Sequence, residues 1–211
     1  MIRPLWFGAL LLASCGTTAE NPKPSPIPAP QDTGPFFSPE ADCGDGVQPG
    51  SNPDLVRWPY MQSVTTTSAI VAWGSPIDQR VGYLHYGTDG AYGTAVDSRV
   101  KGMPGSGGIT FAHHWAELTD LEPGTEYCYK VQVGNRELAG GLRFRTAPDS
   151  VNAPVRFFAF GDMGTGSDDQ KAIRDQMQLR DQDVDLWFTT GDNAYSAGTY
   201  QEYQHNVFEQ Y

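Results

Sequence analysis

Hydrophobic and polar positions follow two different rhythms along this chain. From residue 54 to about 147 the apolar runs are short: 68–73, 80–86, 109–118, 127–133 and 142–146. Gly, Pro, Asn and Asp fall between them, which predicts short strands joined by turns and hence a small sandwich. Alternation within 127–133 puts Tyr127, Tyr129 and Val131 on one face and turns Cys128 away from the core. Trp73 reads as a core residue. His113 and His114 are neighbours on one predicted strand, so they face opposite sides and are poorly placed to share a metal. They and His85 read as structural residues.

The second rhythm starts near residue 153. Residues 155–160 and 184–190 read as buried-type strands. Between them, Ser167-Asp168-Asp169-Gln170 has the form of a capping box that opens a helix, with two acidic residues complementing the helix dipole. Ile173 and Met177 lie on one face of that helix, with Ala172 and Leu179 close by. The unit is β-α-β, which predicts parallel strands and a right-handed crossover. Thr199-Tyr200-Gln201-Glu202 is a second capping box. Tyr203, Val207 and Tyr211 follow it at helical spacing, on an amphipathic helix with nothing after it in this chain to pack against.

Each apolar run of this unit ends abruptly, in Gly161-Asp162-Met163-Gly164 and in Gly191-Asp192-Asn193-Ala194-Tyr195. Both strands of a β-α-β unit end at the same sheet edge, so Asp162 and Asp192 are predicted to converge although 30 positions separate them. Glycine before each aspartate permits a sharp turn at the strand tip. Two carboxylates and the Tyr195 phenol form a hard, oxygen-rich set suited to Fe(III), Mn(II), Zn(II) or Mg(II). Two ions bridged by a carboxylate can activate water and clamp a phosphoryl group. The run 161–166 reads G-x-x-G-x-G, not the dinucleotide fingerprint G-x-G-x-x-G, and an acid sits where pyrophosphate would lie. Nor does Gly-Lys-Ser/Thr follow, as a P-loop requires. One Gly-Asp alone would read as an ordinary turn; two of them with Tyr195 read as a site.

The 211 residues carry a formal net charge of −11. Such a chain repels polyanions, which argues against nucleic-acid binding and leaves phosphate recognition to local cations such as metals. Residues 1–15 have the form of a targeting segment, with Arg3 at a positive start and an apolar stretch over 5–13 too short to span a bilayer. Leu12-Ala13-Ser14-Cys15 resembles a bacterial lipobox. That resemblance implies a lipidated Cys15, a membrane anchor without a transmembrane helix and an extracytoplasmic, cell-envelope location. An ordinary secretory signal with an incidental cysteine is the alternative. Removal of this segment takes away Arg3 and makes the chain one unit more negative. Residues 16–53 read as a linker, in which Asn21-Pro22-Lys23-Pro24-Ser25-Pro26-Ile27-Pro28-Ala29-Pro30 favours an extended spacer. Cys43 and Cys128 remain. An oxidising compartment permits a disulfide between them, and two separate thiols fit the sequence equally.

Leu121-Glu122-Pro123-Gly124-Thr125-Glu126-Tyr127 resembles the tyrosine corner of a fibronectin type III domain, in which the tyrosine hydroxyl bonds the backbone a few residues upstream. The two Gly-Asp blocks resemble the first two motif blocks of the purple acid phosphatases, within the calcineurin-like metallophosphoesterases. Pro59-Tyr60-Met61-Gln62, Leu84-His85-Tyr86-Gly87 and His113-His114-Trp115-Ala116-Glu117-Leu118 are similar to the N-terminal fibronectin-like domain of that family. The resemblance covers residues 54–211. It implies a fibronectin type III-like β-sandwich over 54–148, followed over 153–211 by the first β-α-β part of an α/β metallophosphoesterase domain.

The resemblance also implies a dinuclear centre of Fe(III) with Fe, Zn or Mn. Asp162 would bind the ferric ion, Asp192 would bridge both metals, and Tyr195 would be the phenolate behind the family's colour. A metal-bound hydroxide would attack a phosphomonoester. The family's later blocks, an Asn-His pair and three further histidines, have no counterpart in this sequence; His205-Asn206 has the reverse order and no preceding glycine. The centre is therefore expected to be incomplete, with no general acid to name, and the chain is read as an N-terminal fragment, inactive alone. Two parallel strands are also too few to bury an α/β core. A different class of function is a surface lipoprotein whose sandwich is an interaction module carrying a vestigial phosphatase segment. Metallophosphoesterases that cleave diesters or nucleotides are a third reading, opposed by Tyr195 and the fibronectin-like domain.

Overall fold

A computed structural model of the chain describes residues 41–48, 52–77, 81–104, 110–180 and 184–211. The predicted signal segment with Cys15, and the proline run up to residue 40, lie outside the described residues. Among the described residues, no helix is long and apolar enough to cross a membrane.

Eight strands come first: β1 (Arg57–Gln62), β2 (Ala69–Pro76), β3 (Gly82–Gly87), β4 (Thr94–Asp97), β5 (Arg99–Pro104), β6 (Thr110–Leu118), β7 (Glu126–Val133) and β8 (Arg136–Arg145). They form two four-stranded antiparallel sheets, ordered β1-β2-β6-β5 and β4-β3-β7-β8. Alternating residues of β2, β6 and β7 face inward, among them Val71, Trp73, Ala116, Leu118, Tyr127, Tyr129 and Val131, and join Leu84, Leu138 and Phe144 in one core. This is the predicted sandwich. Its tyrosine corner is present: the Glu122 N–H donates to the Tyr127 hydroxyl at 2.9 Å. His114 is fully buried and stacked on Trp73, with its ring nitrogens 2.9 Å from Ser75 Oγ and 2.9 Å from Ser98 Oγ, a structural role. His113, on the other face, lies against the Phe111 and Trp115 rings; burial, with the Arg57 cation nearby, holds its pKa below the usual histidine value.

The end of the stretch read as a linker belongs to this sandwich. Residues 41–48 lie along the outer face of the β4-β3-β7-β8 sheet. There Gly90 N–H donates to Asp42 C=O at 2.9 Å, Gly140 N–H to Val47 C=O at 2.9 Å, and Tyr92 Oη to Cys43 C=O at 2.9 Å. Cys128 points away from the sandwich core, yet it is fully buried because this segment covers it, and its sulfur is bonded to Cys43. Such close backbone approach needs glycine. A Cβ on Gly46 would overlap the Gly140 backbone, and Gly141 has φ +66°.

The remaining elements are β9 (Phe157–Phe160), α1 (Asp168–Gln178), β10 (Leu186–Thr189) and α2 (Tyr200–Tyr203). β9 and β10 pair in parallel, Phe157 beside Leu186 through Phe160 beside Thr189. Their burial departs from expectation. Phe157, Trp187 and Phe188 remain 54%, 48% and 44% exposed, because two strands and one helix supply too little surface to cover both faces. Ile173 of α1 and Leu179 at its C-terminal cap are exposed as well, whereas Gln170 is buried and Met177 half-buried.

The last helix also differs. Its α-helical part is a single turn, continued by a π-helical turn over Gln204–Phe208 in which Gln204 C=O accepts the Glu209 N–H at 3.0 Å. It is not left uncovered. Val207 packs with Met163 and Ala194, beside Phe160, Tyr203 and Tyr211. On its other side it docks against the sandwich through Arg57 of β1, which is 6% exposed. The Arg57 guanidinium lies 3.6 Å from the Phe208 ring centre, 4.9 Å from that of Phe111 and 5.4 Å from that of Tyr200. It donates to Gln204 Oε1 at 3.1 and 2.9 Å and to Tyr200 Oη at 3.0 Å. Replacing Arg57 with methionine keeps the apolar stem but leaves these acceptors unpaired, at a cost of roughly 3 kcal/mol. Amide hydrogen exchange over 199–211 is expected to rise in that variant while β2 and β7 keep their protection; equal protection in both regions would show that the clasp contributes nothing.

Candidate metal centre

The parallel register fixes where the two Gly-Asp blocks fall. Thr190 N–H continues the ladder to Phe160 C=O at 3.0 Å, and Asp162 N–H donates to Gly191 C=O at 3.3 Å. Both chains then turn at the same edge. A Cβ on Gly161 would overlap the Thr190 side chain, which is why the turn begins with glycine. Asp162 and Asp192 adopt left-handed backbone conformations, φ 53° and 49°. L-residues enter this region at some cost, and aspartate is among the few that do so regularly.

The three residues singled out from the sequence meet. The Tyr195 hydroxyl lies 3.1 Å from Asp162 Oδ1 and 3.1 Å from Asp192 Oδ2. Local desolvation, and the two carboxylates that accept its proton and oppose a phenolate beside them, push the Tyr195 pKa to about 12. In this arrangement the phenol holds the carboxylates at hydrogen-bonding distance. The loop after Tyr195 is anchored by the second capping box. Thr199 N–H donates to Glu202 Oε2 at 2.8 Å, Glu202 N–H donates to Thr199 Oγ1 at 3.2 Å, and Ser196 N–H donates to Glu202 Oε1 at 2.6 Å. The Thr199 amide, with its hydroxyl and the Ala197 and Ser196 amides, holds the Glu202 carboxyl below its usual range. The first capping box is only half formed. Ser167 Oγ accepts the Gln170 N–H at 3.3 Å, but the Gln170 side chain turns to Gly166 N–H at 2.7 Å.

Chemically, the three oxygens suit one side of a hard-cation site. They do not complete one: among the described residues, no three His, Cys, Asp or Glu side chains gather. His205 takes no part, being exposed and 2.8 Å from Glu209 Oε2. Its neighbour Asn206, noted in the sequence only for the reversed order of His205-Asn206, reaches both Gly-Asp loops. Gln204 and Arg57 also escaped the sequence, since each is a single polar residue whose partners lie far along the chain, and the capping-box reading of Gln170 gave no sign of its bond to Asn206 C=O.

The known proteins add to this geometry. Residues 59–147 match the purple acid phosphatase N-terminal domain family. That stretch, less than half of the chain, is similar to the N-terminal domain of purple acid phosphatases. Among solved structures, purple acid phosphatase PPD1 from yellow lupin (Lupinus luteus) seeds is 18% identical, with a TM-score of 0.49, over 65% of this chain and 29% of that one. PhoD is 13% identical, with a TM-score of 0.46, over 76% of this chain and 35% of that one. A fibronectin type III domain of human KIAA0970 protein is 17% identical, with a TM-score of 0.32, over 48% of this chain and 78% of that one. The chain thus spans about a third of the length of the two phosphatases. No curated protein matches it. The purple acid phosphatase N-terminal domain ends at residue 147 in this match, ahead of Asp162, Asp192 and Tyr195.

Proposed function

We propose that the chain contributes the N-terminal sandwich and the first two ligand loops of a metal-dependent phosphoric ester hydrolase of the purple acid phosphatase type. One observation carries the reading: Asp162, Asp192 and Tyr195 meet at the C-terminal edge of a parallel strand pair that follows the phosphatase N-terminal domain. Asp162, Asp192 and Tyr195 would hold part of a dinuclear centre, Fe(III) with Fe, Zn or Mn. When bound, such a centre supplies Lewis acidity toward a phosphoryl oxygen and lowers the pKa of water. The chain's own residues bind and orient. The carboxylates provide negative charge at fixed separation, and Tyr195 gives up its proton only when a cation offsets them, since its pKa lies near 12 without one.

The substrate class in this reading is a phosphomonoester, and the 211-residue chain is inactive by itself. Lipidation at Cys15 would anchor the enzyme to the outside of a bacterial membrane, and the Cys43–Cys128 disulfide suits that oxidising location. The test is p-nitrophenyl phosphate turnover by the longest native polypeptide that contains these residues. Turnover that falls by at least ~10³-fold in Asp162→Ala is the expected result, as for loss of a major electrostatic contribution. Turnover unaffected by Asp162→Ala, or undetectable in the native polypeptide, would overturn the reading.

A further inference from the structure

The two Gly-Asp loops do not hold each other in place unaided. Tyr195 N–H donates to Gly164 C=O at 2.9 Å, a backbone bond between the two turns beyond the strand tips. A further part of the junction, beside the Tyr195 hydroxyl bond to Asp162, runs through Asn206, on the π-helical turn. Asn206 Nδ2 donates to the same Gly164 carbonyl at 3.0 Å and to the Tyr195 carbonyl at 3.4 Å. A single amide thus grips the residue two places after Asp162 and the phenol-bearing residue itself.

Asn206 is in turn fixed from behind. Its carbonyl accepts Gln170 Nε2 at 2.5 Å, and Gln170 Oε1 accepts the Gly166 N–H at 2.7 Å. Gln170 is 5% exposed, so these bonds are protected from water. Fit is close: a Cβ on Gly166 would come within 2.9 Å of Asn206 Oδ1. The next residue, Val207, packs with Met163 and Ala194, which adjoin Asp162 and Tyr195 respectively. The π-helical turn therefore sets one polar and one apolar side chain against both loops, and Arg57 clasps Gln204, the first residue of that turn, to the sandwich. π-Helical turns widen the helix locally and recur at functional sites.

We propose that Asn206 is a positioning residue that sets the separation of the Asp162 and Asp192 loops for cation binding. This rests on the reading of those aspartates and Tyr195 as metal ligands. Asn206 acts through the loop backbones, its amide bonding the Gly164 and Tyr195 carbonyls, and Gln170 holds it in register.

The probe is Tb(III), a hard, oxygen-seeking cation, followed in the full chain by tyrosine-sensitised luminescence. Asn206→Leu, which keeps volume and removes the donor, is expected to weaken Tb(III) binding by about 10- to 100-fold, the usual effect of losing an outer partner. Luminescence lifetimes in H₂O against D₂O should report more waters on the ion, because fewer protein oxygens reach it. In the metal-free chain, exchange of the Tyr195 amide should rise, with the unfolding temperature of the sandwich unchanged. His205→Ala, on the same turn, should do none of this. If Asn206→Leu does not fold, Gln170→Met removes the same support from the other side and should shift affinity and hydration in the same direction. Parental Tb(III) affinity and hydration in Asn206→Leu or Gln170→Met would overturn the positioning role alone. Failure of the parent chain to bind Tb(III) would overturn the metal-site reading and the positioning role with it, whereas Asp192→Ala losing Tb(III) while Asn206→Leu retains it singles out the positioning role as wrong.

Discussion

Asp192→Gly is expected to weaken Mn(II) binding by at least ~100-fold, because loss of even an outer partner of a ligand costs about 10- to 100-fold and Asp192 would be a direct ligand. Glycine is the cleanest replacement. Asp192 sits at φ 49°, where an alanine would keep the backbone cost and lose the carboxylate. Glycine removes both, so the Asp192→Gly chain should exceed Asp192→Ala in stability by about 1 kcal/mol while binding metal equally poorly. Asp162, at φ 53°, should behave the same way. Tyr195→Phe should differ in kind. It removes a phenol whose pKa lies near 12, so divalent binding should fall less, but any visible tyrosinate band with Fe(III) should vanish. Calorimetric titration of the parent chain and the four variants with Mn(II) decides the matter. Parental affinity in Asp192→Gly would remove that carboxylate from the site.

The second large effect is on stability. Reduction of Cys43–Cys128 opens a loop of 85 residues of sequence separation. On chain-entropy grounds the bond contributes about 4–5 kcal/mol. That approaches the whole stability of a small domain, roughly 5–15 kcal/mol. The unfolding temperature should therefore fall by roughly 20–30 °C under reductant. Cys43→Ala should reproduce the fall, since it leaves Cys128 as a small buried apolar residue. Thermal unfolding followed by near-ultraviolet circular dichroism measures both. A shift of only a few degrees would mean that the hydrogen bonds of residues 41–48 hold the segment without the sulfur bridge.

The sequence spoke clearly where burial is one-sided and local. β2, β6 and β7 carry the core; short apolar runs between turn residues marked all three, and alternation marked β7. β4 and β5 left no such mark: Thr94–Asp97 is short and mostly exposed, and Arg99–Pro104 carries a glycine and a proline that suit an edge strand. Gly140 and Gly141 hid the first half of β8, because glycines read as a turn although here they admit a second backbone. That same packing buried Cys128, which alternation placed on an outer face. Convergence of Asp162, Asp192 and Tyr195 was legible because parallel strands joined by one helix must end together. Arg57 and Gln204 were not, since 147 positions separate them and neither belongs to a periodic pattern. Asn206 was invisible for a related reason: an amide that grips backbone carbonyls has no preferred neighbour in sequence. Gln170 was legible only as a capping-box residue, without its bond to the Asn206 carbonyl.

The disulfide also sets how the sandwich bears mechanical load. Tension on the chain ahead of Cys43 does not reach Arg57–Gln62, the edge strand that follows it, because the sulfur bridge diverts it to Cys128. Cys128 lies in β7, flanked by β3 and β8. A pull on the chain ahead of Cys43 would thus be shared by an interior strand with hydrogen bonds on both sides, and β1, which carries the Arg57 clasp, would be spared from peeling.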